Sequence, residues 1–245
     1  MKKYLSIFML AVLSIVSISL NSVKAGETSA EFGSISGNVG FVSEYRYRGL
    51  DQSGEEPALQ GGLDWSHNSG FYVGTWASNV DFNDNNSTLE VDFYGGYATE
   101  LSGVSLDLSV IGYTYPGALD SSNYDFVEYA FAAGYENGPA AFSASINYTD
   151  DFFGASGQST YYQGGIDYEL GSGITASGHV GRQLVEKNTT YGSPDYTDWS
   201  VGLSYTLMGL DLSVQYLDTD IGSTYNGSTQ AGKDNTAIFG VSKSF

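Results

Sequence analysis

Residues 235–245 read NTAIFGVSKSF, and apolar and small polar side chains alternate along this stretch. Successive side chains of a β-strand point to opposite faces, so the stretch divides into two sets. The first face is apolar and carries Ala237, Phe239, Val241 and Phe245. The second face is small and mostly polar and carries Thr236, Gly240, Ser242 and Ser244. The sequence therefore predicts a last strand whose two faces meet different media.

The first 25 residues have the pattern of a secretion signal. Lys2 and Lys3 precede an apolar stretch over residues 5–20, and small or modest side chains lead up to Ala25. This pattern predicts a signal peptide over residues 1–25 and a mature domain over residues 26–245. A transmembrane anchor is the alternative, but the stretch is short for a helical span and contains four serines.

Composition narrows the classes of function. The chain has no cysteine, so it has no disulfide framework and no thiol chemistry, and its 20 Tyr and 32 Gly suit strands and tight turns. Residues 26–245 contain six Lys or Arg and 28 Asp or Glu, a formal charge of −22. So acidic a chain repels nucleic acid and anionic solutes and attracts cations. Beyond the signal no apolar run reaches about 18 residues, so a membrane would have to be crossed by strands.

Twelve strand segments follow one another along the mature chain, the first predicted over residues 38–48 and the second over residues 58–66. All but the third, residues 71–80, alternate clearly between apolar and polar side chains. Short turns, such as Asn137-Gly138, alternate with long polar loops, of which residues 218–234 form the longest. The sequence therefore predicts an all-β fold, a transmembrane antiparallel up-and-down β-barrel of about 12 strands with both termini in the periplasm. A barrel of this size should enclose a narrow pore or a nearly plugged one.

The two faces of these strands receive different roles. Apolar side chains such as Val201 should face lipid, and their neighbours, such as Ser200, should face water. Aromatic residues near the strand ends are expected to form two interfacial girdles: Trp65, Tyr97, Tyr135, Tyr168 and Tyr205 at one end, and Tyr47, Tyr148 and Tyr216 at the other. Charged residues are expected to line the lumen: Glu44, Arg46, Arg48, Asp64, Glu90, Asp92, Asp107, Glu128, Asp167, Glu169, Asp198 and Asp211. Ten acids against two bases favour cations, and a hydrated interior in which carboxylates hold the arginines is a compatible alternative.

Three stretches carry a resemblance to a known family: GNVGFVSEYRYRG at residues 37–49, WASNVD at 76–81 and EVDFYGGY at 90–97. They resemble the TorF-type porin family of bacterial outer-membrane proteins, formerly of unknown function. The last strand is also similar to the C-terminal strand of outer-membrane barrels, with Phe245 as the barrel-end signal, although Lys243 stands where an apolar residue is usual. The resemblance implies an outer-membrane location and a pore, and it implies no solute and no binding residue.

Other motifs have ordinary explanations. Ser177 and His179 share one face of the ninth strand, which should be the lumenal face, whereas an enzyme acting on lipid would need such a pair toward the membrane. Residues 81–86, DFNDNN, resemble the start of a calcium loop, but Asn86 stands where the motif has Gly. The sequence therefore predicts no catalytic residue, no metal site and no cofactor.

The main hypothesis is a narrow, cation-favouring, porin-like channel for small solutes in the outer membrane. A structural or adhesive surface barrel with a blocked lumen is the first alternative, and a barrel enzyme acting on lipid is the second. Expected partners are outer-membrane lipid and lipopolysaccharide, the barrel-assembly machinery and small solutes, but no nucleic acid.

Overall fold

The computed structural model describes residues 33–225, 228–229 and 234–245. The predicted signal peptide, residues 1–25, lies outside the described residues. Among the described residues, no helix is long and apolar enough to cross a membrane. The helical segments in this described part of the chain are one 3₁₀ turn, Asp120–Ser122, and one four-residue α-helix, Asn188–Tyr191.

Twelve antiparallel strands form one closed barrel, in which each strand pairs with its neighbours in sequence and the first pairs with the last. The strands are β1 (Ser34–Val42), β2 (Ala58–Ser66), β3 (Phe71–Asn79), β4 (Leu89–Leu101), β5 (Val104–Thr114), β6 (Phe126–Asn137), β7 (Ala140–Thr149), β8 (Ser159–Gly171), β9 (Ile174–Val185), β10 (Tyr196–Leu207), β11 (Leu210–Thr219) and β12 (Thr236–Ser244). The predicted up-and-down barrel is confirmed.

The C-terminal stretch closes the barrel. Strand β12 pairs with β11 on one side and with β1 on the other, where Phe41 lies opposite Val241. Gly37 and Phe245 exchange two backbone hydrogen bonds, each with a nitrogen–oxygen distance of 2.9 Å. Closure removes both free sheet edges, whose unpaired backbone groups would otherwise be costly in an apolar medium.

The connections differ at the two ends of the barrel. At one end, the turn end, tight turns join the strands, and Ser102 and Gly103 make one of them with φ angles of 54° and 83°. Two successive residues in the left-handed region match the twist of an antiparallel hairpin. At the other end, the loop end, the connections are longer: residues 43–57, 80–88, 115–125, 150–158, 186–195 and 220–235.

Apolar side chains point outward from this barrel. Val201 and Leu203 on β10 are 53% and 50% exposed, whereas the interior positions between them and on neighbouring strands are mostly polar. This inverts the distribution of a soluble protein and is typical of barrels that span a membrane. Ser200 is 6% exposed, and its Oγ accepts a hydrogen bond from Gln215. It faces inward as predicted, but into packed side chains instead of water.

The first strand differs from its prediction. The alternation of residues 38–48 predicted one continuous strand, but β1 ends at Val42. The chain then turns into the barrel, and Arg46–Tyr47 pairs with Leu50–Asp51 in a separate short hairpin. The pattern was misleading because a hairpin inside the barrel alternates its side chains just as a barrel strand does.

Candidate functional site

An inward-folded segment, residues 43–57, dominates the loop end of the barrel and is called the inward loop below. Arg48 and Gly49 form the tip of its hairpin, with φ angles of 50° and 82°. A Cβ atom on Gly49 would lie 2.6 Å from Cγ2 of Thr219 and 3.0 Å from Cβ of Asp198. Glycine is therefore required here both by the backbone conformation and by the close approach to the barrel wall.

Arg48 ties the tip of the inward loop to two distant strands. Its Nη2 donates hydrogen bonds to both carboxylate oxygens of Glu128 on β6, at 2.9 and 2.7 Å, and its Nη1 donates to Oε1 of Gln183 on β9, at 2.9 Å. The guanidinium carbon also lies 4.6 and 4.3 Å from the ring centroids of Tyr47 and Tyr161. Such a charge-assisted, stacked arrangement suits arginine and would not be reproduced by lysine.

The charge of Arg48 is retained despite its burial. Burial alone lowers the pKa of a guanidinium, but the Glu128 carboxylate more than offsets this, so the pKa of Arg48 lies well above its ordinary value. Arg48 and Glu128 therefore form a buried ion pair in which the charge of each group compensates the charge of the other.

Further contacts hold the stem of the inward loop. The Tyr45 hydroxyl donates to Oε1 of Glu90 at 3.0 Å, and burial raises the pKa of Tyr45 well above its ordinary value, so it remains a donor. Arg46 forms an ion pair with Glu44, whose other carboxylate oxygen accepts from Thr236 at 3.0 Å. The inward loop is thus attached to the wall by these polar groups and also by its buried aromatic rings.

The interior at the level of the inward loop is filled. Tyr45 of the inward loop and the interior-facing Glu90, Glu128 and Gln183 are each at most 2% exposed. Asn147 on β7 is fully buried in the same region and lies 3.5 Å from Glu128 through its Nδ2. In this conformation the inward loop therefore excludes water from the loop-end half of the interior.

Aromatic rings from three other connections close over this end. Phe82, Tyr115, Tyr124 and Phe153 contact one another in all six pairs, with ring centroids 4.2–6.1 Å apart. Tyr115 belongs to the same buried cluster as Tyr45 of the inward loop. Edge and stacked contacts of this kind add about 0.5–1.5 kcal/mol per pair to apolar burial, so these connections form a packed cap.

The turn-end half of the interior is acidic and open to solvent. Asp64 and Asp107 are half-buried there, and they accept hydrogen bonds from Tyr94 at 2.6 Å and Tyr72 at 2.8 Å. Asp167 is likewise half-buried and lines a recess with Ser105 and Ser143. None of the Lys or Arg residues in the described part of the chain points into this half. We call it the acidic vestibule.

A family model described as "Bacterial protein of unknown function (Gcw_chp)" matches residues 25–245. The chain belongs to the Gcw_chp family. This description does not carry the TorF-type name, so that part of the resemblance stays an expectation. Among curated proteins, nothing matches.

Solved structures similar to this Gcw_chp chain include porins. The KdgM porin has a TM-score of 0.57 at 12% sequence identity, over 86% of this chain and 99% of that one. The NanC porin has a TM-score of 0.53 at 13% identity, over 86% and 98% of the two chains. The KdgM porin in complex with disordered oligogalacturonate gives 0.54 at 11% identity, over 86% and 98%. At these identities the likeness establishes the barrel fold.

The charged residues predicted for the lumen fall into three groups. Arg46, Arg48 and Glu44 belong to the inward loop and not to β1. Four acids face the interior but are buried: Glu90, Asp92, Glu128 and Asp198. The remaining acids face the interior of the turn-end half: Asp64, Asp107, Asp167, Glu169 and Asp211. Their predicted role in lining a pathway stays a prediction.

The predicted girdle has one error. Tyr47 is 8% exposed and lies in the inward loop, where its ring packs against Tyr113, so it cannot meet lipid. The other seven aromatic residues occupy outward positions on the barrel strands: Trp65, Tyr97, Tyr135, Tyr148, Tyr168, Tyr205 and Tyr216. Phe245 is 62% exposed at the end of β12.

Several interior polar residues escaped the sequence analysis. The part of the barrel wall that surrounds the inward loop includes Gln183, Asn147 and Tyr161. The Tyr161 hydroxyl donates a hydrogen bond to Asp198 at 3.0 Å. A large amide or phenol at an inward position was the available signal, because such groups usually have a hydrogen-bond partner when they are buried. His179 lies 3.1 Å from Oε1 of Gln163 and 3.5 Å from Asp198, within the same polar network.

The stretch with a partial calcium motif forms a self-contained turn. One carboxylate oxygen of Asp84 accepts from the backbone nitrogens of Asn86 and Ser87, and the other accepts from the Ser87 hydroxyl. These bonds lower the pKa of Asp84, the Ser87 backbone bond being the main cause. This is the usual behaviour of an aspartate at a turn.

Proposed function

We propose that this Gcw_chp barrel is a narrow outer-membrane channel for small solutes, and that the inward loop controls passage through it. The observation that carries the proposal is the pairing of a hydrated acidic vestibule with a plug that is attached by polar groups. Hydrogen bonds and ion pairs can be exchanged for bonds to water when the plug moves. The full-length fold likeness to two porins supports the same function.

Passage should require the inward loop to move. The arginine at its tip bonds to β6 and β9, and a tyrosine hydroxyl of its stem bonds to β4. Two of its rings also pack edge-on against rings of β3 and β5. Val42 and Ala58 are register partners where β1 and β2 pair, so the barrel wall is complete without the loop. Displacement of the loop toward the loop end would therefore leave the wall intact while it opened the interior.

The acidic vestibule should favour cations. Its carboxylates are only half-buried and are opposed by no described Lys or Arg, so they lower the barrier for cations and raise it for anions. The oligogalacturonate named with KdgM is a polyanion, and the same interior charge opposes that class of solute here. The second candidate, a structural or adhesive barrel with a blocked lumen, is favoured by the aromatic cap and by the dry loop-end half.

A reversal-potential measurement under a salt gradient in planar bilayers tests the proposed selectivity. The wild type should prefer cations, and Asp107→Asn combined with Asp167→Asn should reduce the preference, most strongly at low salt where screening is weak. Asp220→Asn, at the exposed loop end, is the matched control and should change little. An anion-preferring wild type, or an unchanged double variant, would refute the role of the vestibule.

The orientation in the membrane is part of the proposal. Long connections of outer-membrane barrels lie outside the cell and short turns lie in the periplasm. An epitope inserted after Gly222 should therefore be labelled on intact cells, and one inserted after Gly138 should be labelled only after permeabilisation. Labelling of the Gly138 epitope on intact cells would overturn the orientation. Contact with lipopolysaccharide outside and recognition of the final strand by the barrel-assembly machinery are expected from the same placement.

A further inference from the structure

Two carboxylates lie side by side behind the inward loop. Glu90 and Asp92 occupy alternate positions on β4 and share its interior face, and they are 1% and 0% exposed. Glu90 accepts a hydrogen bond from Tyr45. Neither carboxylate oxygen of Asp92 has a hydrogen-bond partner among the described residues. A fully buried carboxylate without a donor is rare in proteins and requires an explanation.

The charges of the described residues around this pair do not compensate it. The third buried acid of the region, Glu128, already holds the guanidinium of Arg48, and Arg46 is paired with Glu44. Of the other described bases, Arg182 contacts Asp220 on the outside, and Lys187 and Lys243 are exposed. With both acids ionised, two negative charges would lie in a dry region, where an uncompensated ion is strongly unfavourable.

The side chains around Asp92 restrict what could compensate it. Asp92 lies directly opposite Trp76 on β3 and Tyr113 on β5, and such partners have Cβ atoms about 4.5–5.5 Å apart. The Tyr45 ring meets the Trp76 ring edge-on, with centroids 5.6 Å apart. Aromatic faces attract singly charged cations. A divalent ion is usually held by several carboxylates, and within the described ranges no three His, Cys, Asp or Glu side chains are placed to share one.

We propose that Glu90 and Asp92 bind one monovalent cation of sodium or potassium size between β4 and the inward loop. The cation supplies one positive charge where the described residues supply none, and Trp76 and Tyr113 complete its surroundings. The site exists in the closed conformation and does not depend on conduction, so it can be present whether the barrel is a channel or a structural protein.

Urea unfolding in detergent micelles tests the site. At constant ionic strength, replacing N-methylglucamine chloride, whose cation is too large for the site, by sodium or potassium chloride should stabilise the wild type. A hundredfold excess over the dissociation constant corresponds to about a hundredfold shift of the unfolding equilibrium. Asp92→Asn should lose this response. Asp220→Asn, at the exposed loop end beside Arg182, should keep it.

Rubidium in crystals of the wild type gives a direct readout that does not depend on any variant folding. Anomalous scattering should place one ion beside Asp92. A wild type that gives neither a rubidium peak nor a differential stabilisation would show that Asp92 is neutralised by a proton, and the site would be refuted. A full cation response in Asp92→Asn would refute it equally.

Discussion

Replacing Arg48 by Gln is expected to destabilise the barrel by about 3–5 kcal/mol, because the change leaves Glu128 buried without a counter-charge. Glu128 is fully buried, and each of its two carboxylate oxygens accepts a hydrogen bond from Nη2 of Arg48. The loss also removes the contact to Gln183 and the stacking on Tyr47 and Tyr161. Reversible urea unfolding in lipid or detergent measures the change.

Two further variants show whether the Arg48 effect comes from the buried pair. Arg182→Gln removes an arginine whose side chain is 44% exposed and which lies 3.5 Å from Asp220, so it should cost at most about 1 kcal/mol. Arg48→Met combined with Glu128→Leu should recover much of the stability, because both charges are then removed together. A single Arg48→Gln variant within 1 kcal/mol of the wild type would contradict the role given to this pair.

Leu203→Arg on β10 is expected to cost about 2–4 kcal/mol, which is the range for arginine on the lipid face near the bilayer midplane. Leu203 is 50% exposed and lies between Trp199 and Tyr205, two outward aromatic residues of the same strand. The cost arises from placing a charge in hydrocarbon. The destabilisation should therefore be smaller in detergent micelles whose apolar layer is thin.

Ser204→Arg is the matched control for the lipid face. Ser204 is the next residue of β10, points inward, and is half-buried in the wetter half of the barrel opposite Ser213. An arginine there can reach water and the vestibule acids, so its cost should be much smaller. Equal losses for Leu203→Arg and Ser204→Arg in lipid-refolding titrations would mean that the outward face does not contact lipid.

The barrel itself could be derived from local sequence pattern. Strand β2 was predicted over residues 58–66 and has those bounds, because alternation and turn residues are properties of neighbouring positions. The end of β1 could not be derived in the same way. Tyr45 and Tyr47 continue the alternation of Val39 and Phe41, and nothing in the local pattern marks the point at which the chain leaves the wall.

The inward loop depends on contacts that local pattern does not contain. Arg48 meets Glu128 and Gln183 across 80 and 135 positions of sequence. The period-2 pattern did place Glu90 and Glu128 on the interior face. The direction of a side chain, however, does not determine whether water reaches it. Their burial follows from the loop and the aromatic cap above them, which are tertiary features.

Single-channel recording in planar bilayers, comparing the wild type with a variant that lacks the inward loop, tests the central claim most directly. In the variant a short Asn-Gly turn would replace residues 43–57 between Val42 and Ala58, which already pair across β1 and β2. The account predicts small or intermittent conductance for the wild type and a larger, steady conductance for the variant. A correctly folded variant that remains silent would show that the lumen is blocked by more than the inward loop, and it would contradict the proposed channel.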